Sequence, residues 1–151
     1  MNIEEAIKIS SFATQKQKSG INILYTAWWL KTLIAKQLKE HSITHEQYNV
    51  LRILKGKHPA QMCVRDIASR MIEKSSNVPR IIDRLEAKKL VERSSSAFDK
   101  RETVMTLTDA GLAILDAATI DVNKLFSKLI DISEEDAGTL NELLEKYRMN
   151  E

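Results

Sequence analysis

The residues of this chain best suited to chemistry form two polar sets that lie about a dozen residues apart in the sequence. The first is one face of the run 75–88, in which apolar residues recur at helical spacing and leave another face to Asn77, Arg80, Arg84 and Lys88. The second is the charged sequence Asp99-Lys100-Arg101, which precedes a short β-rich run. Amide and guanidinium groups on a helix can bond to base edges in the major groove of DNA. The pairing therefore indicates duplex DNA as a partner.

Each set has an expected role in DNA binding. Ser75 and Ser76 lie near the predicted helix start, where hydroxyl groups and free backbone N–H groups favour phosphate. The sequence Asp99-Lys100-Arg101 is expected to form the tip of a β-hairpin. There we expect Asp99 to orient Arg101, Arg101 to enter the minor groove and Lys100 to contact phosphate. The predicted DNA-binding residues are Lys74, Ser75, Ser76, Asn77, Arg80, Arg84, Lys88, Asp99, Lys100 and Arg101.

The flanking segments predict a winged helix-turn-helix. Apolar spacing from Val64 to Ile72 indicates a short helix, and a turn around residues 73–75 leads into the helix that carries the polar face. Pro79 requires that this second helix begin at Ser75 or later, with Ser75 or Ser76 as its N-cap, because proline is tolerated only near a helix start. The wing is a β-hairpin that follows this helix, and its two strands are predicted at residues 90–93 and 103–107.

The rest of the chain is predicted to be helical. A short helix over residues 3–9, a break at Ser10-Ser11 and a long helix to about Glu40 precede a capping box formed by Thr44 and Gln47. The helix that follows is expected to end near Gly56. Caps at Thr108 and Ser133 open the last two helices. The predicted fold is mainly α with a small β-hairpin wing.

Domain organisation follows from where the apolar faces lie. Residues 42–108 are predicted to form the winged helix-turn-helix domain, and residues 1–41 together with 109–151 a helical dimerisation domain. The broad apolar faces at both chain ends exceed what the small central domain can bury, and a two-fold dimer is the simplest source of that burial.

Composition agrees with this organisation. A chain of 151 residues with four glycines and two prolines suits one compact domain or two interleaved helical ones. Residues 44–108 carry 13 Lys and Arg against 8 Asp and Glu, whereas residues 109–151 carry 4 against 10. A basic centre beside an acidic end is expected when only one part approaches phosphate. A lone cysteine fits a reducing compartment. Glu4 and Glu5 argue against a signal peptide, and the apolar runs are too short to span a bilayer. We therefore expect a cytoplasmic protein without membrane contact.

Other candidate sites are weaker. His41 and His45 have metal-ligand spacing only on a continuous helix, and the Thr44 cap predicts a boundary between them, so we expect no metal. Cys63 is expected to be a packed thiol, because the chain has no second cysteine. The aromatic residues Tyr25, Trp28 and Trp29 are either core or interface residues or the lining of a ligand pocket.

The sequence offers no enzyme motif. It contains no Gly-rich phosphate loop and no G-x-S-x-G sequence, so we predict neither catalytic residues nor a cofactor. The alternative to DNA binding is a winged-helix module that docks a protein partner through the polar helix. Salt dependence separates the two, because binding to DNA weakens steeply as salt rises.

The order of elements resembles the multiple antibiotic resistance regulator (MarR) family of bacterial transcription factors. The run from Asn77 to Arg93 is similar to that family's recognition helix and first wing strand, and Asp99-Lys100-Arg101 with Leu107-Thr108 is similar to its wing signature. Two residues depart from the family pattern. Pro79 stands where Thr or Ser is usual, which puts one base or phosphate contact in doubt, and Lys89 stands where Gly is common, so the turn into the wing must tolerate a side chain.

The resemblance implies a homodimer whose terminal helices interlock and whose two winged domains bind a pseudo-palindromic operator. It also implies a repressor, since most of the family represses, and a small aromatic or phenolic ligand between the dimerisation helices and the winged domain. This chain lacks the histidine pair of the family's zinc-sensing branch, because no histidine follows His58. Cys63 also lies outside the N-terminal region that holds the cysteine of the peroxide-sensing branch.

Overall fold

The computed structural model of the protein describes residues 1–149 and is mainly helical, with one small antiparallel sheet. The elements in chain order are α1 (Ile3–Ile7), α2 (Gln15–Lys39), α3 (His45–Lys55), β1 (Met62–Cys63), α4 (Val64–Arg70), α5 (Val78–Ala87), β2 (Val91–Ser95), β3 (Thr103–Leu107), α6 (Asp109–Leu129) and α7 (Glu134–Tyr147). The predicted fold class, mainly α with a hairpin wing, is confirmed.

Side-chain caps set the helix boundaries. The Thr44 hydroxyl accepts from the backbone N–H of Gln47 at 3.1 Å, and the Gln47 side chain accepts from the backbone N–H of Thr44 at 3.1 Å, so the capping box is confirmed. Thr108 and Ser133 cap α6 and α7 as predicted. Helix α2 begins later than the predicted break at residues 10–11, because the Thr14 side chain provides its N-cap.

The wing is the hairpin of β2 and β3, and its sheet has a third strand. Val91 lies opposite Leu107 and Ser95 opposite Thr103, while on the other edge of β3 Met62 pairs with Met105. Strand β1 was not predicted from the sequence. A strand of two residues is too short to show alternation, which explains why it was missed.

One hydrophobic core joins the end helices to the winged part of the chain. Its members come from α2 to α6 and from all three strands. Buried residues of the end helices in this cluster are Leu38, Leu115, Ala118 and Val122, and those of the winged part include Leu51, Leu54, Ile67, Met71, Val78, Ile82, Leu85, Leu90 and Met105. The predicted boundaries at residues 41 and 109 therefore do not divide the core.

The start of α6 packs against the turn that leads into the wing. Lys89 takes a left-handed backbone conformation there, with φ of 59°, so the turn does tolerate a side chain where glycine is the ordinary choice. Gly111, one turn into α6, is buried, and a Cβ at that position would overlap the Leu90 carbonyl oxygen. The Thr108 hydroxyl donates to the Lys89 carbonyl at 2.8 Å. The turn into the wing and the first turn of α6 are therefore in direct contact.

Helix α7 is the least buried element. None of its residues is buried, and Leu140, Leu143 and Tyr147 are exposed. Within residues 1–149, no helix is both long enough and apolar enough to cross a bilayer.

Candidate nucleic-acid interface

The recognition helix is α5, and its first turn is built around a proline. Pro79 occupies the second helical position, where its missing N–H costs no hydrogen bond. The prediction of a helix start at or after Ser75 is therefore confirmed. The predicted cap is wrong, because Asn77 rather than Ser75 or Ser76 caps the helix, with its Oδ1 accepting from the Arg80 backbone N–H at 3.2 Å.

This cap alters what Asn77 can offer to DNA. A bidentate contact with adenine needs both the amide oxygen and the amide nitrogen. The cap uses one of the two lone pairs of the amide oxygen, so the oxygen keeps one acceptor site and the NH₂ group keeps its donors. The cap therefore restricts the directions from which a base can approach the Asn77 side chain.

Most of the predicted helix residues surround one concavity, which we call the reading cleft. Its volume is about 260 Å³. It is lined by Thr44, Glu46, Gln47, Glu73, Ser75, Ser76, Asn77, Arg80, Ile81 and Arg84. Arg80 and Arg84 are exposed, whereas Val78, Ile82 and Leu85 on the other side of α5 are buried in the core. The two guanidinium groups therefore lie on the solvent side of a firmly packed helix.

Ser76 contributes a hydroxyl to this cleft. Its Oγ is buried and has no hydrogen-bond partner among residues 1–149. Buried hydroxyl groups in folded proteins nearly always have a partner. The cleft therefore contains a buried hydroxyl group, that of Ser76, which has no hydrogen-bond partner within residues 1–149.

Two of the predicted lysines are engaged within the protein. The Lys74 ammonium group donates to the Ser69 carbonyl at 2.6 Å. The Lys88 ammonium group donates to the Ser42 carbonyl and, at 3.0 Å, to the Gln47 side chain. Lys88 thus ties the end of α5 to the start of α3 rather than extending freely.

Sequence reasoning missed one residue that positions α5. Asn49 of α3 is buried, and its side-chain oxygen accepts from the backbone N–H of Ile72 at 3.0 Å. Ile72 belongs to the turn between α4 and α5. Helix α4 ends at Arg70, two residues before its predicted end, because Met71 adopts an extended conformation. A single buried asparagine gives no periodic signal, so only the fold could show its partner.

The wing tip has an ordered backbone. Asp99 Oδ1 accepts from the Arg101 backbone N–H at 3.0 Å and lies 3.4 Å from the Arg101 Nε. The Arg101 side chain is 93% exposed. Asp99 thus holds Arg101 by its backbone and orients its guanidinium group, while leaving that group open to solvent.

Arg93 connects the recognition helix to the wing. It lies in β2, donates from Nε to Glu86 at 3.0 Å and from its terminal nitrogen to Asp83, and both carboxylates belong to α5. The hydrogen bond to Asp83 is the main reason that the pKa of Arg93 lies above its ordinary value. One guanidinium group therefore joins α5 to the wing.

The three aromatic residues of the predicted ligand pocket do not line a single cavity. Trp28 lines a cleft of about 550 Å³ between α2 and the start of α3, with Lys31, Lys39 and His45 among its other residues. Tyr25 and Trp29 line another cleft, of about 310 Å³, against the N-terminal helix α1. Only the first of these clefts touches the winged part of the chain.

The remaining candidates have structural surroundings. Cys63 is buried and free, in agreement with a packed thiol. His41 lies 2.9 Å from Asp121 of α6, and His45 begins α3 beyond the Thr44 cap. Within residues 1–149, no cluster of three or more His, Cys, Asp or Glu residues could hold a metal ion.

A helix-turn-helix whose second helix presents arginines and is followed by a hairpin with a basic tip defines a winged helix-turn-helix DNA-binding protein. Residues 43–103 match the model of the MarR family. The winged part of the chain is thus similar to the MarR family of transcriptional regulators.

Individual relatives are similar over most of the chain. The HTH-type transcriptional regulator MhqR of Bacillus subtilis is 27% identical over 118 residues, which are 76% of this chain and 79% of MhqR. The structure of CouR from Rhodococcus jostii RHA1 superposes with a TM-score of 0.77 at 18% identity and covers 93% of this chain and 98% of CouR. That of S. aureus MepR in DNA-binding conformation gives 0.71 at 25% identity, over 85% and 95% of the two chains.

Proposed function

We propose that this protein is a homodimeric regulator that binds a pseudo-palindromic operator as a repressor and is released by a small aromatic or phenolic ligand. Two observations carry the DNA-binding part: Arg80 and Arg84 lie on the solvent side of α5, and the wing that Arg93 ties to α5 presents the oriented, exposed Arg101. A helix lies in the major groove and a wing tip reaches the adjacent minor groove. MepR was crystallised in a DNA-binding conformation, which supports this use of the fold.

Selection of bound duplexes from a random pool at fixed salt tests the proposal. We expect enrichment of an inverted repeat with half-sites about one helical turn apart, roughly 10 base pairs. Affinity should fall steeply with salt, because each phosphate contact releases counterions. A pool without enrichment, together with salt-insensitive binding to a protein partner, would favour a winged-helix interaction module instead.

The dimer is supported by the apolar surface of the terminal helices. An isolated helix the length of α7 is marginal in water, yet α7 buries none of its own residues in the single chain. An apolar cleft of about 540 Å³ also remains between α2 and α7, where Leu24 meets Leu144 and Tyr147. A second copy related by a two-fold axis would cover both features.

Sedimentation at micromolar concentration tests the dimer. We expect the wild type to sediment as a dimer and Leu143→Asp to shift it toward monomer, because a carboxylate would be buried at the interface. Glu142→Asp, a change beside it on the same helix that keeps the charge, is the matched control. A monomeric wild type contradicts the proposal.

The ligand would occupy the cleft that Trp28 lines. This cleft lies where α2 meets the winged part, and Lys39 in its lining suits an anionic or hydroxylated ring, whereas the Lys31 ammonium group is paired with Glu73. CouR was crystallised bound to p-coumaroyl-CoA, which is an aromatic thioester. Release of the operator would then be a shift between dimer geometries.

Titration with a panel of monocyclic phenols and hydroxylated aromatic acids tests this site. We expect quenching of tryptophan fluorescence and loss of operator binding at the same concentrations, and loss of both responses in Trp28→Ala. Trp29→Ala, which alters the other cleft, should keep both. Since the proposed target is chromosomal DNA, we place the protein in the cytoplasm.

A further inference from the structure

We propose that Phe98 is an apolar wedge that enters the minor groove beside Arg101 and opens a base step there. This inference rests on the proposed DNA binding and assigns a residue to it that carries no charge. Its starting point is position: the Phe98 side chain is fully exposed at the wing tip, three residues before Arg101.

A single exposed apolar side chain is ordinary on a protein surface, so exposure alone decides nothing. The location of Phe98 is what sets it apart. Apart from Ile72, the other large exposed apolar residues within 1–149 lie on or beside α1, α2, α6 and α7, the helices proposed to form the dimer. Phe98 lies in the wing, outside that surface.

The backbone around Phe98 is held by hydrogen bonds. Ser96 is buried, and its Oγ accepts from the backbone N–H groups of Phe98 at 3.2 Å and Asp99 at 3.4 Å. The backbone N–H of Glu102 donates to the Asp99 carbonyl at 2.9 Å, and that of Ser96 donates to the Glu102 carbonyl at 2.9 Å. The ring is therefore presented outward by an ordered turn, which lowers the entropy cost of binding.

Phe98 and Arg101 can reach the same stretch of groove. Three extended residues span at most about 11 Å, and base pairs are stacked about 3.4 Å apart, so the Cα atoms of Phe98 and Arg101 lie within about three base steps of each other. Proteins that bind the minor groove frequently insert apolar side chains between bases and partly unstack them. A phenyl ring cannot read hydrogen-bond donors or acceptors, so Phe98 would favour steps that open easily, such as TA.

The test uses the duplex that the wild type enriches from a random pool, with a fluorescent aminopurine in place of adenine at successive steps under the wing. We expect wild-type protein to raise the fluorescence at one step, because unstacking relieves quenching. Phe98→Ala should abolish the rise and weaken binding by about five- to tenfold. Its salt dependence should match the wild type, because a phenyl ring displaces no counterions.

Two variants sharpen the result. Phe98→Leu keeps an apolar wedge and should retain much of the fluorescence rise. Lys100→Ala should keep the rise but reduce the slope of affinity against salt by about one. Unchanged affinity in Phe98→Ala, or no fluorescence rise with wild-type protein at any step, overturns the wedge. A pool without any enriched duplex overturns the proposed function itself and the wedge with it, which is a different result.

Discussion

Arg93 of the wing donates a hydrogen bond to Asp83 of the recognition helix. The contact lies on the protein surface, where an ion pair is worth less than about 1 kcal/mol of stability. Its importance is geometric, because it fixes the direction of α5 relative to the hairpin that carries Arg101. In the proposed DNA complex, α5 and the wing have to keep a constant angle in order to reach two adjacent grooves.

Removing this tie should weaken DNA binding more than it destabilises the fold. We expect Arg93→Met to lower the free energy of unfolding by less than about 1 kcal/mol in a urea titration, and to reduce operator affinity clearly. The double variant Asp83→Asn with Glu86→Gln should reduce affinity in the same way. If that variant binds as well as the wild type or better, Arg93 acts on DNA directly and the positioning role is wrong.

Arg101 should make the strongest single contribution of the wing. Arg101→Ala is expected to weaken operator binding by about 1–3 kcal/mol, the range for a base or groove contact. Arg80→Ala should also weaken binding, with relaxed preference at one base position. Both are measured by titration of labelled operator at fixed salt. Lys36→Ala on α2 removes a charge outside α5 and the wing and is the control. If it weakens operator binding as much as Arg101→Ala does, the loss of affinity reflects only the change in net charge.

Gly111 should tolerate no side chain. Gly111→Ala places a methyl group against the Leu90 carbonyl and should destabilise the protein by about 1–3 kcal/mol, in spite of the better helix propensity of alanine. Gly138 of α7 is the matched control, since a Cβ there meets nothing within 4 Å. Gly138→Ala should stabilise by about 0.5–1 kcal/mol. Thermal denaturation followed by circular dichroism checks both, and a neutral Gly111→Ala would show that α6 can move away from the wing.

Lys89 should be replaceable with a gain in stability. Its left-handed conformation costs a non-glycine residue about 1–2 kcal/mol, so Lys89→Gly should raise the free energy of unfolding by up to about 1 kcal/mol after the added freedom of the unfolded chain is subtracted. Ala87→Gly, two residues earlier in right-handed helix, should lower it instead. Chemical denaturation of the two variants gives the comparison, and a loss in both would contradict the strain at Lys89.

The sequence predicted the parts of this molecule that depend on local chemistry. The Thr44 capping box and the late start of α5 before Pro79 follow from hydrogen-bond donors and acceptors a few residues apart. It could not predict contacts between distant segments. The pairing of Met62 with Met105 and the bond from Asn49 to Ile72 join residues that only the folded chain brings together.

The candidate site shows the same division. Spacing alone placed Arg80 and Arg84 on one face and Asp99 beside Arg101. It assigned Lys88 to that face as well, but could not show that Ser42 and Gln47 would engage its ammonium group. It also could not show that Asn77 caps α5, because that role depends on where the helix begins.

The shared core has a consequence for how the protein can be divided and how it unfolds. Leu38 and Leu115 pack in the same cluster as Leu51 and Leu85. We therefore expect that residues 42–108 do not fold on their own when the rest of the chain is removed. A chain cut at residues 42 and 108 would expose those side chains to water. The chain should instead lose its structure in one cooperative transition, with its most slowly exchanging amide protons spread across α2, α3 and α6.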